Sequence, residues 1–291
     1  MILKLKGLDK FLERIPKLSG KKIIILPIYV LVVFALSLTI QIYFDVLPSI
    51  IPVNSVLGYF TIIFPVLGVI FIGVIAIILV YQMWSQRERL RAKYGKLSYQ
   101  RIFLAGFAGV VLLFSIVVHN FLAIYQSNPP FWSQFPFSIF VTSLTSYLTP
   151  ISLLLGSIRL FLGVFFCIVG AATMVRAIFT FGFDYMTVTY LYFPEESELQ
   201  DHEIYSVLRH PAYSGILLVC LGGTIIQATI YSILFFLILY FGMFIHVHFV
   251  EEKELINRFG DSYKEYRKKT SAFFLYPKNW RQFFKFILGK E

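Results

Sequence analysis

The sequence predicts an all-α membrane protein: a polytopic transmembrane helix bundle of about six crossings, with a C-terminal helical hairpin and cytoplasmic amphipathic tail helices. Hydrophobic residues make up 58% of the 291 positions and charged residues only 14%, whereas soluble domains are about half apolar and a quarter charged. The apolar residues stand in long runs, as in membrane-spanning helices. The formal net charge of +10 comes mostly from Lys and Arg beside these runs, which indicates membrane topology rather than nucleic-acid binding.

The N-terminal region, residues 23–159, is expected to contain the first three spans. Residues 1–22 before it are basic and carry apolar residues at helical spacing, which predicts a cytoplasmic amphipathic helix lying on the membrane surface. The spans are expected at about 23–44, 57–84 and 102–125. No small-residue cleavage site follows the first apolar run, so we expect a retained span. No motif assigns a role to this region.

Residues 126–150 are the ambiguous part of the chain, because they contain prolines and aromatic residues but no charge. A span over 137–156 would place the basic C-terminal tail on the side opposite the other basic segments. Basic loops prefer the cytoplasmic side, so an interfacial or re-entrant segment is favoured. The next span is then expected at about 160–181, and residues 160–291 form a separate C-terminal region.

Two apolar arms follow an acidic loop in the C-terminal region. The arms cover about 211–226 and 229–250. The first arm is too short to span a bilayer of about 30 Å as a helix, so the pair predicts a tight helical hairpin. The tail from residue 251 onward is rich in Lys and Arg, which predicts that both termini lie on the cytoplasmic side.

Polar residues stand at both ends of this hairpin, which would bring them together. His210 and Tyr213 are three residues apart at the start of a helix, and so share a face. Pro211 suits the first helical turn, whose free N–H groups favour an anionic group. Glu251 and Glu252 end the return arm, and carboxylates at a membrane boundary need a cationic partner. Such a site suits a zwitterionic ligand, for example the amino-acid end of S-adenosylmethionine.

The hairpin ends also carry a two-part motif. The first part reads Tyr205-x3-Arg-His-Pro-x-Tyr-x-Gly, and the second reads Glu251-Glu252-x2-Leu-x3-Phe-Gly-x2-Tyr-x2-Tyr. Together they resemble the isoprenylcysteine carboxyl methyltransferase and phospholipid methyltransferase family. The resemblance covers about residues 180–277. It implies an integral membrane methyltransferase that uses S-adenosylmethionine and acts on a prenylcysteine-type carboxylate or a lipid headgroup.

The resemblance also implies which residues form the site. We assign His210 and Glu251 as candidate catalytic residues on the cytoplasmic side of the membrane. The candidate cofactor-binding residues are Tyr190, Glu198, Leu199, Gln200, Tyr205, His210, Pro211, Ala212, Tyr213, Glu251 and Glu252. No metal site is expected, because His248, Glu251 and Glu252 share a helix face without a further convergent ligand.

The sequence departs from the family pattern at two positions. Glu203 stands where the family has Gly, which changes either the loop conformation or the charge near the cofactor. Val247 stands where carboxyl-methylating members carry Arg, which would pair with a substrate carboxylate. Arg176, His246 and His248 are the candidates to contact the acceptor in its place.

Two other functions stay open at this point. Membrane sterol reductases are similar at their C-terminal ends but use NADPH, and the acidic loop before Arg209 argues against that phosphorylated cofactor. A transporter or membrane scaffold could retain the fold without activity, although the sequence has no inverted repeat of the kind that many transporters carry. The expected partner is a membrane lipid or a lipidated substrate.

Overall fold

The computed structural model describes residues 6–51, 60, 63–122 and 152–289. Over these residues the fold is all-α, as predicted. The longer helices are α1 (Leu8–Arg14), α2 (Ile25–Ile50), α3 (Phe64–Ser85), α4 (Arg87–Tyr94), α5 (Phe103–His119), α6 (Ser152–Phe181), α7 (Pro211–Gln227), α8 (Ile230–His246), α9 (Glu252–Phe259), α10 (Asp261–Lys269) and α11 (Trp280–Ile287).

Short helical turns connect these helices. Two are π-helical, at Tyr185–Thr189 and Val247–Glu251. The others are the α-helical turn Tyr190–Tyr192 and the 3-10 turns Pro16–Leu18, Gly20–Ile24, Gly95–Leu97, Tyr99–Arg101, Pro194–Glu196, Glu203–Ser206 and Pro277–Asn279.

Within the described residues, four helical segments are long and apolar enough to cross a membrane: Gly20–Pro48, Phe64–Ser85, Gly156–Phe181 and Ile230–Phe259. Two further apolar helices, α5 and α7, have 17 residues each. At 1.5 Å per residue each is about 26 Å long, slightly short of a hydrocarbon core of about 30 Å. Each predicted span corresponds to one of these helices.

Three predicted boundaries were wrong. Helix α6 begins at Ser152 rather than near residue 160, because a single Arg159 near its end does not interrupt an apolar helix. Helix α2 continues through Pro48 to Ile50, and α5 ends at His119 rather than near residue 125. The predicted re-entrant segment at 126–150 lies outside the described residues.

The amphipathic N-terminus forms a helix, but its apolar face packs on protein. Phe11 and Ile15 are only 1% and 2% exposed. They belong to one core cluster with Phe103 at the start of α5 and with Tyr192 before the acidic loop. The prediction that this face lies on the membrane surface was therefore wrong, because protein already covers it.

The hairpin predicted at the C-terminal end is present. Helix α7 ends at Gln227 and is followed by the C-cap residue Ala228, whose φ of 48° is left-handed. Thr229 caps α8 in a reciprocal capping box with Ser232. Helix α7 packs closely along α6, since a Cβ on Gly215 would stand 2.6 Å from the carbonyl oxygen of Gly170. Small residues permit such close packing in membranes.

The N-terminal region shares a core with this hairpin. Ile72 of α3 and Ile116 of α5 pack against Phe235 of α8. Asp45 and His119 add a buried polar contact between α2 and α5, with 2.7 Å between Oδ2 and Nε2. The N-terminal helices therefore support the hairpin directly.

Candidate active site

The first end of the hairpin is held by the C-terminal tail. The backbone N–H groups of Arg209 and His210 donate to the carbonyl oxygens of Ser271 and Ala272, at 2.8 and 3.2 Å. His210 directly precedes α7, and Pro211 occupies its first turn, where the missing N–H costs no hydrogen bond. The tail thus fixes the position of the His210 ring.

The second end of the hairpin returns to the same place. Helix α8 passes into the π-helical turn that ends at Glu251, and π-helical turns often occur at functional sites. Glu251 Oε1 lies 3.7 Å from His210 Nδ1. The structure therefore brings the two candidate catalytic residues together, across more than forty residues of sequence.

Glu252 has a different partner from its neighbour. Its Oε1 accepts from Nη2 and Nε of Arg209 at 2.8 and 3.0 Å, and its Oε2 lies 3.3 Å from Nε of Arg267. The residue is 3% exposed. Both of its oxygens contact arginines, and Glu252 is not among the residues that line the cavity described below. Its role as a cofactor contact stays a prediction.

A cavity of about 330 Å³ lies between the hairpin ends, the acidic loop and the N-terminal helices. This volume is at the lower end of the range of about 300–1,000 Å³ for small-molecule sites. The sequence-predicted residues that line it are Tyr190, Glu198, Leu199, Gln200, Tyr205, His210, Pro211, Ala212, Tyr213, His246 and Glu251.

Four lining residues have a buried polar atom without a hydrogen-bond partner in the described part of the chain. These atoms are the hydroxyls of Tyr190 and Tyr263, Nε2 of His210 and Oε2 of Glu251. A buried polar atom left unpaired costs about 1–3 kcal/mol. Four such atoms around one cavity indicate a polar ligand that would pair with them.

Tyr263 was missed as a site residue by the sequence analysis. It belongs to the second part of the motif, twelve residues after Glu251, and it is 1% exposed. Its place in the motif was the signal that could have identified it. Burial and the nearby charge of Glu252 raise the pKa of its hydroxyl, so that the hydroxyl stays protonated at neutral pH.

Two of the three acceptor candidates lie outside the cavity lining. Arg176 donates from Nε to the carbonyl oxygen of Ile287 at 3.4 Å. His248 is exposed and stacks on Phe244, with ring centroids 5.7 Å apart. Of the three, only His246 lines the cavity, and contact with the acceptor stays a prediction for all three.

The two departures from the family pattern have physical explanations. Val247 is 2% exposed and packs in an apolar cluster with Leu217 and Met243, an environment that suits an apolar side chain. Glu203 has a left-handed φ of 47°, which is the conformation that favours Gly. Its carboxylate accepts from the Thr180 hydroxyl at 2.5 Å, so its charge does not face the cavity.

The acidic loop is tied to the basic N-terminal segments. Arg14 lies 2.6 Å from Glu196, and Arg91 lies 2.6 Å from Glu195. Glu198, which follows these two glutamates in the same loop, lines the cavity. This charge complementarity between distant segments could have been recognised in the sequence.

The contribution of α3 and α5 to the cavity wall was not predicted from the sequence. Side chains on these helices that line it include Val80, Trp84, Phe107 and Val110. An apolar residue in a membrane helix gives no sequence signal that separates a cavity wall from a lipid-facing surface.

Comparison with known proteins gives matches in the C-terminal region. The profile of the phospholipid methyltransferase family matches residues 158–262. The chain is 36% identical over 69 residues to the protein-S-isoprenylcysteine O-methyltransferase of Schizosaccharomyces pombe, which covers 24% of this chain and 29% of the relative. It is 28% identical over 112 residues to a probable protein-S-isoprenylcysteine O-methyltransferase of Oryza sativa subsp. indica, covering 38% of this chain and 59% of the relative.

The chain thus spans less than two thirds of the length of these curated relatives. No solved structure gives a significant match. The profile match includes the first part of the motif, Tyr205 to Gly215, and the second part from Glu251 to Gly260, but not Tyr263 and Tyr266. Residues 158–262 of the chain are therefore similar to the phospholipid methyltransferase family that its motifs resemble.

Proposed function

We propose that the protein is an integral membrane methyltransferase that uses S-adenosylmethionine and methylates a lipid or a lipid-modified acceptor. The observation that carries this proposal is the set of unpaired buried atoms on Tyr190, His210, Glu251 and Tyr263 around one cavity. The family match of the surrounding region supports a methyl donor as the ligand, and the relatives named above are all methyltransferases.

The lining residues fit the polar groups of this cofactor. Glu251 offers a carboxylate oxygen to a cationic amine, and the hydroxyls of Tyr190 and Tyr263 offer hydrogen bonds. The first turn of α7 leaves backbone N–H groups free at Ala212 and Tyr213, which suit a carboxylate. The cofactor supplies an electrophilic methyl group on a positively charged sulfur, so that the main task of these residues is to bind and orient it.

The role of the candidate catalytic pair depends on the acceptor. A carboxylate acceptor needs no base, because it carries no proton at the reacting oxygen. An amine acceptor must lose a proton, and His210 or Glu251 could receive it. Both groups line the cavity, with 3.7 Å between Nδ1 and Oε1.

The charges in the cavity favour an amine over a carboxylate. The Asp, Glu, Lys and Arg residues that line it are Glu198, Arg209 and Glu251, and Arg209 is engaged by Glu252 at 2.8 Å. A carboxylate acceptor would therefore find no free Lys or Arg among these lining residues, and Val247 supplies none. A lipid headgroup amine is the acceptor class that best suits this lining.

We also propose that the cavity opens on the cytoplasmic side. Basic residues of α4 lie on the same side of the protein as the acidic loop and α9, as the pairs Arg91–Glu195 and Arg87–Glu254 indicate. Basic segments beside membrane spans are typical of the cytoplasmic side.

Calorimetric titration with S-adenosylmethionine in detergent tests the proposal. Glu251→Ala should weaken binding about tenfold or more, because a hydrogen bond to a charged group contributes about 1.5–3 kcal/mol. His210→Ala should also weaken it. The matched control is Glu265→Ala on the exposed face of α10, which should bind like wild type. Unchanged affinity in both site variants, or tight binding of NADPH instead, would contradict the proposal.

A further inference from the structure

The acidic loop, residues 194–203, lies between the cavity and the protein surface. Its residues 198–200 line the cavity, whereas Glu195 and Glu196 are exposed. Residues 197–201 form no helix or strand, so that no regular backbone hydrogen bonding fixes their shape. Contacts with other segments of the chain therefore hold the lining residues in place.

Arg14, at the end of α1, holds the first part of this loop. Its Nη2 donates to Oε1 and Oε2 of Glu196, at 2.8 and 2.6 Å. Its guanidinium also lies 3.8 Å from the ring centroid of Phe193, within the range of a cation–π contact. Because Phe193 is only 4% exposed, Arg14 covers a buried ring and pairs with the loop at the same time.

Arg91 of α4 holds the same part of the loop from a second helix. Its Nη2 donates to Oε1 of Glu195 at 2.6 Å, and its guanidinium lies 5.8 Å from the Phe193 ring centroid. The side chains of Arg14 and Arg91 are 19% and 26% exposed. Water and salt screen such partly buried charges less than fully exposed ones, so these pairs are stronger than ordinary surface pairs.

A third connection reaches the loop through α9. Nη1 of Arg87 on α4 donates to Glu254 at 2.7 Å, and Arg258 pairs with the same carboxylate. Nη1 of Arg258 donates in turn to the hydroxyl of Ser197 at 3.0 Å. The Arg258 guanidinium also lies 4.9 Å from the ring centroid of Tyr190, which lines the cavity. This chain of contacts ends where the loop meets the cavity.

The cations and the anions of this arrangement come from different parts of the chain. Arg14, Arg87 and Arg91 precede the family-matched region 158–262, and that region contains their carboxylate partners Glu195, Glu196 and Glu254. Neither Arg14 nor Arg91 lines the cavity. An effect of these arginines on a bound ligand would therefore act through the loop.

We propose that Arg14 and Arg91 are positioning residues, which hold the acidic loop over the polar end of the cavity and thereby slow the release of the bound cofactor. The proposal rests on the proposed use of S-adenosylmethionine. It assigns a role to segments of the N-terminal half that lie outside the family match.

The release rate of the cofactor tests this role directly. The full chain in lipid nanodiscs is loaded with radiolabelled S-adenosylmethionine and then chased with unlabelled cofactor. The variants are Arg14→Ala, Arg91→Ala and the double variant. The matched control is Arg89→Ala, which makes the same change at an exposed position of α4.

Each single variant should release the cofactor about two- to fivefold faster, at the upper level of a surface ion pair. The double variant should release it about tenfold faster, and Arg89→Ala should behave like wild type. Release from wild type should also become faster as salt is added, because salt screens the two pairs. The double variant should depend on salt much less.

Exchange of the charges separates a positioning role from a merely structural one. Arg91→Glu brings two carboxylates together and should speed release more than Arg91→Ala does. The further change Glu195→Arg restores the pair and should return the rate to within about twofold of wild type. Hydrogen–deuterium exchange of the loop in the ligand-free protein should rise and fall with the release rate.

Two results would overturn the proposal: an unchanged release rate in the double variant, or no recovery on charge exchange in a protein that unfolds at the wild-type temperature. A wild-type protein that binds no S-adenosylmethionine would contradict the proposed function. In that case, faster loop exchange in the arginine variants would leave the hold on the loop standing, and unchanged exchange would overturn it as well.

Discussion

Arg209 and Glu252 form a buried ion pair, with 2.8 Å between Nη2 and Oε1, directly beside the residues that line the cavity. Arg209 also donates to the carbonyl oxygens of Arg267 and Thr270. The pair thus joins the start of α7 to α9 and to the segment after α10. The two adjacent glutamates therefore differ in their surroundings: Glu252 is paired with arginines, whereas Glu251 lines the cavity.

This division predicts opposite effects for the two glutamates. Glu252→Ala leaves Arg209 buried without its anion, which should lower the free energy of unfolding by about 3 kcal/mol or more. Glu251→Ala should change stability by less than about 1 kcal/mol while it weakens cofactor binding. Thermal unfolding in detergent, combined with titration of the cofactor, measures both quantities. Equal losses of stability in the two variants would contradict the division.

A second prediction concerns Glu203, whose backbone has the left-handed φ of 47°. Glu203→Gly removes backbone strain and also removes the hydrogen bond to Thr180. These effects are each about 1 kcal/mol and opposite in sign, so stability should change little. Cofactor affinity should stay within about twofold, because the carboxylate faces α6 rather than the cavity. A large loss of affinity in calorimetry would show that this charge acts on the ligand.

A third prediction concerns Tyr190. Burial and the nearby charge of Glu251 raise the pKa of its hydroxyl. The hydroxyl therefore stays protonated through neutral pH and is available as a donor. Tyr190→Phe removes an unpaired buried group, so it should leave the stability of the ligand-free protein unchanged or slightly higher.

The same variant should weaken cofactor binding about fivefold or more, at the level of one hydrogen bond. The loss of cofactor affinity should be the same from pH 6 to about pH 9, because the Tyr190 hydroxyl does not titrate in that range. Titration of wild type and variant across this pH range measures it. Lower stability of the ligand-free variant, with unchanged affinity, would assign the hydroxyl a structural role.

A fourth prediction concerns the N-terminal helix α1. Phe11→Ala should destabilise the protein by about 3 kcal/mol or more, because it empties a site in a protein core that is 1% exposed. Phe284→Ala on α11, at 36% exposure, is the matched control and should cost much less. Thermal unfolding in detergent measures both. If the two variants unfolded alike, α1 would pack on lipid rather than on protein.

The sequence predicted the parts of the fold that depend on composition and spacing. The apolar runs identified the spanning helices, and the short first arm identified the hairpin. Pairing of His210 with Glu251 followed from a hairpin whose ends must meet. The sequence could not separate Glu251 from Glu252, because only the three-dimensional structure shows which of the two Arg209 contacts.

The contribution of Val80 and Phe107 to the cavity could not be predicted for a related reason. In a membrane helix, apolar residues face lipid, protein and ligand alike, so that periodicity does not distinguish these environments. For the same reason, the apolar face of α1 was predicted to face lipid, whereas it packs on protein. The boundary of α6 was misplaced because Arg159 resembled the end of a span.

Methyl transfer in this cavity is the activity that we propose for the protein. The most direct measurement is the transfer of tritium from methyl-labelled S-adenosylmethionine into lipid-extractable product by the purified protein in nanodiscs that contain an amine phospholipid. We expect labelled product with wild type and a loss of about a hundredfold or more with Glu251→Ala. No labelled product with wild type on either an amine phospholipid or an S-prenylated cysteine, in a folded protein, would contradict it.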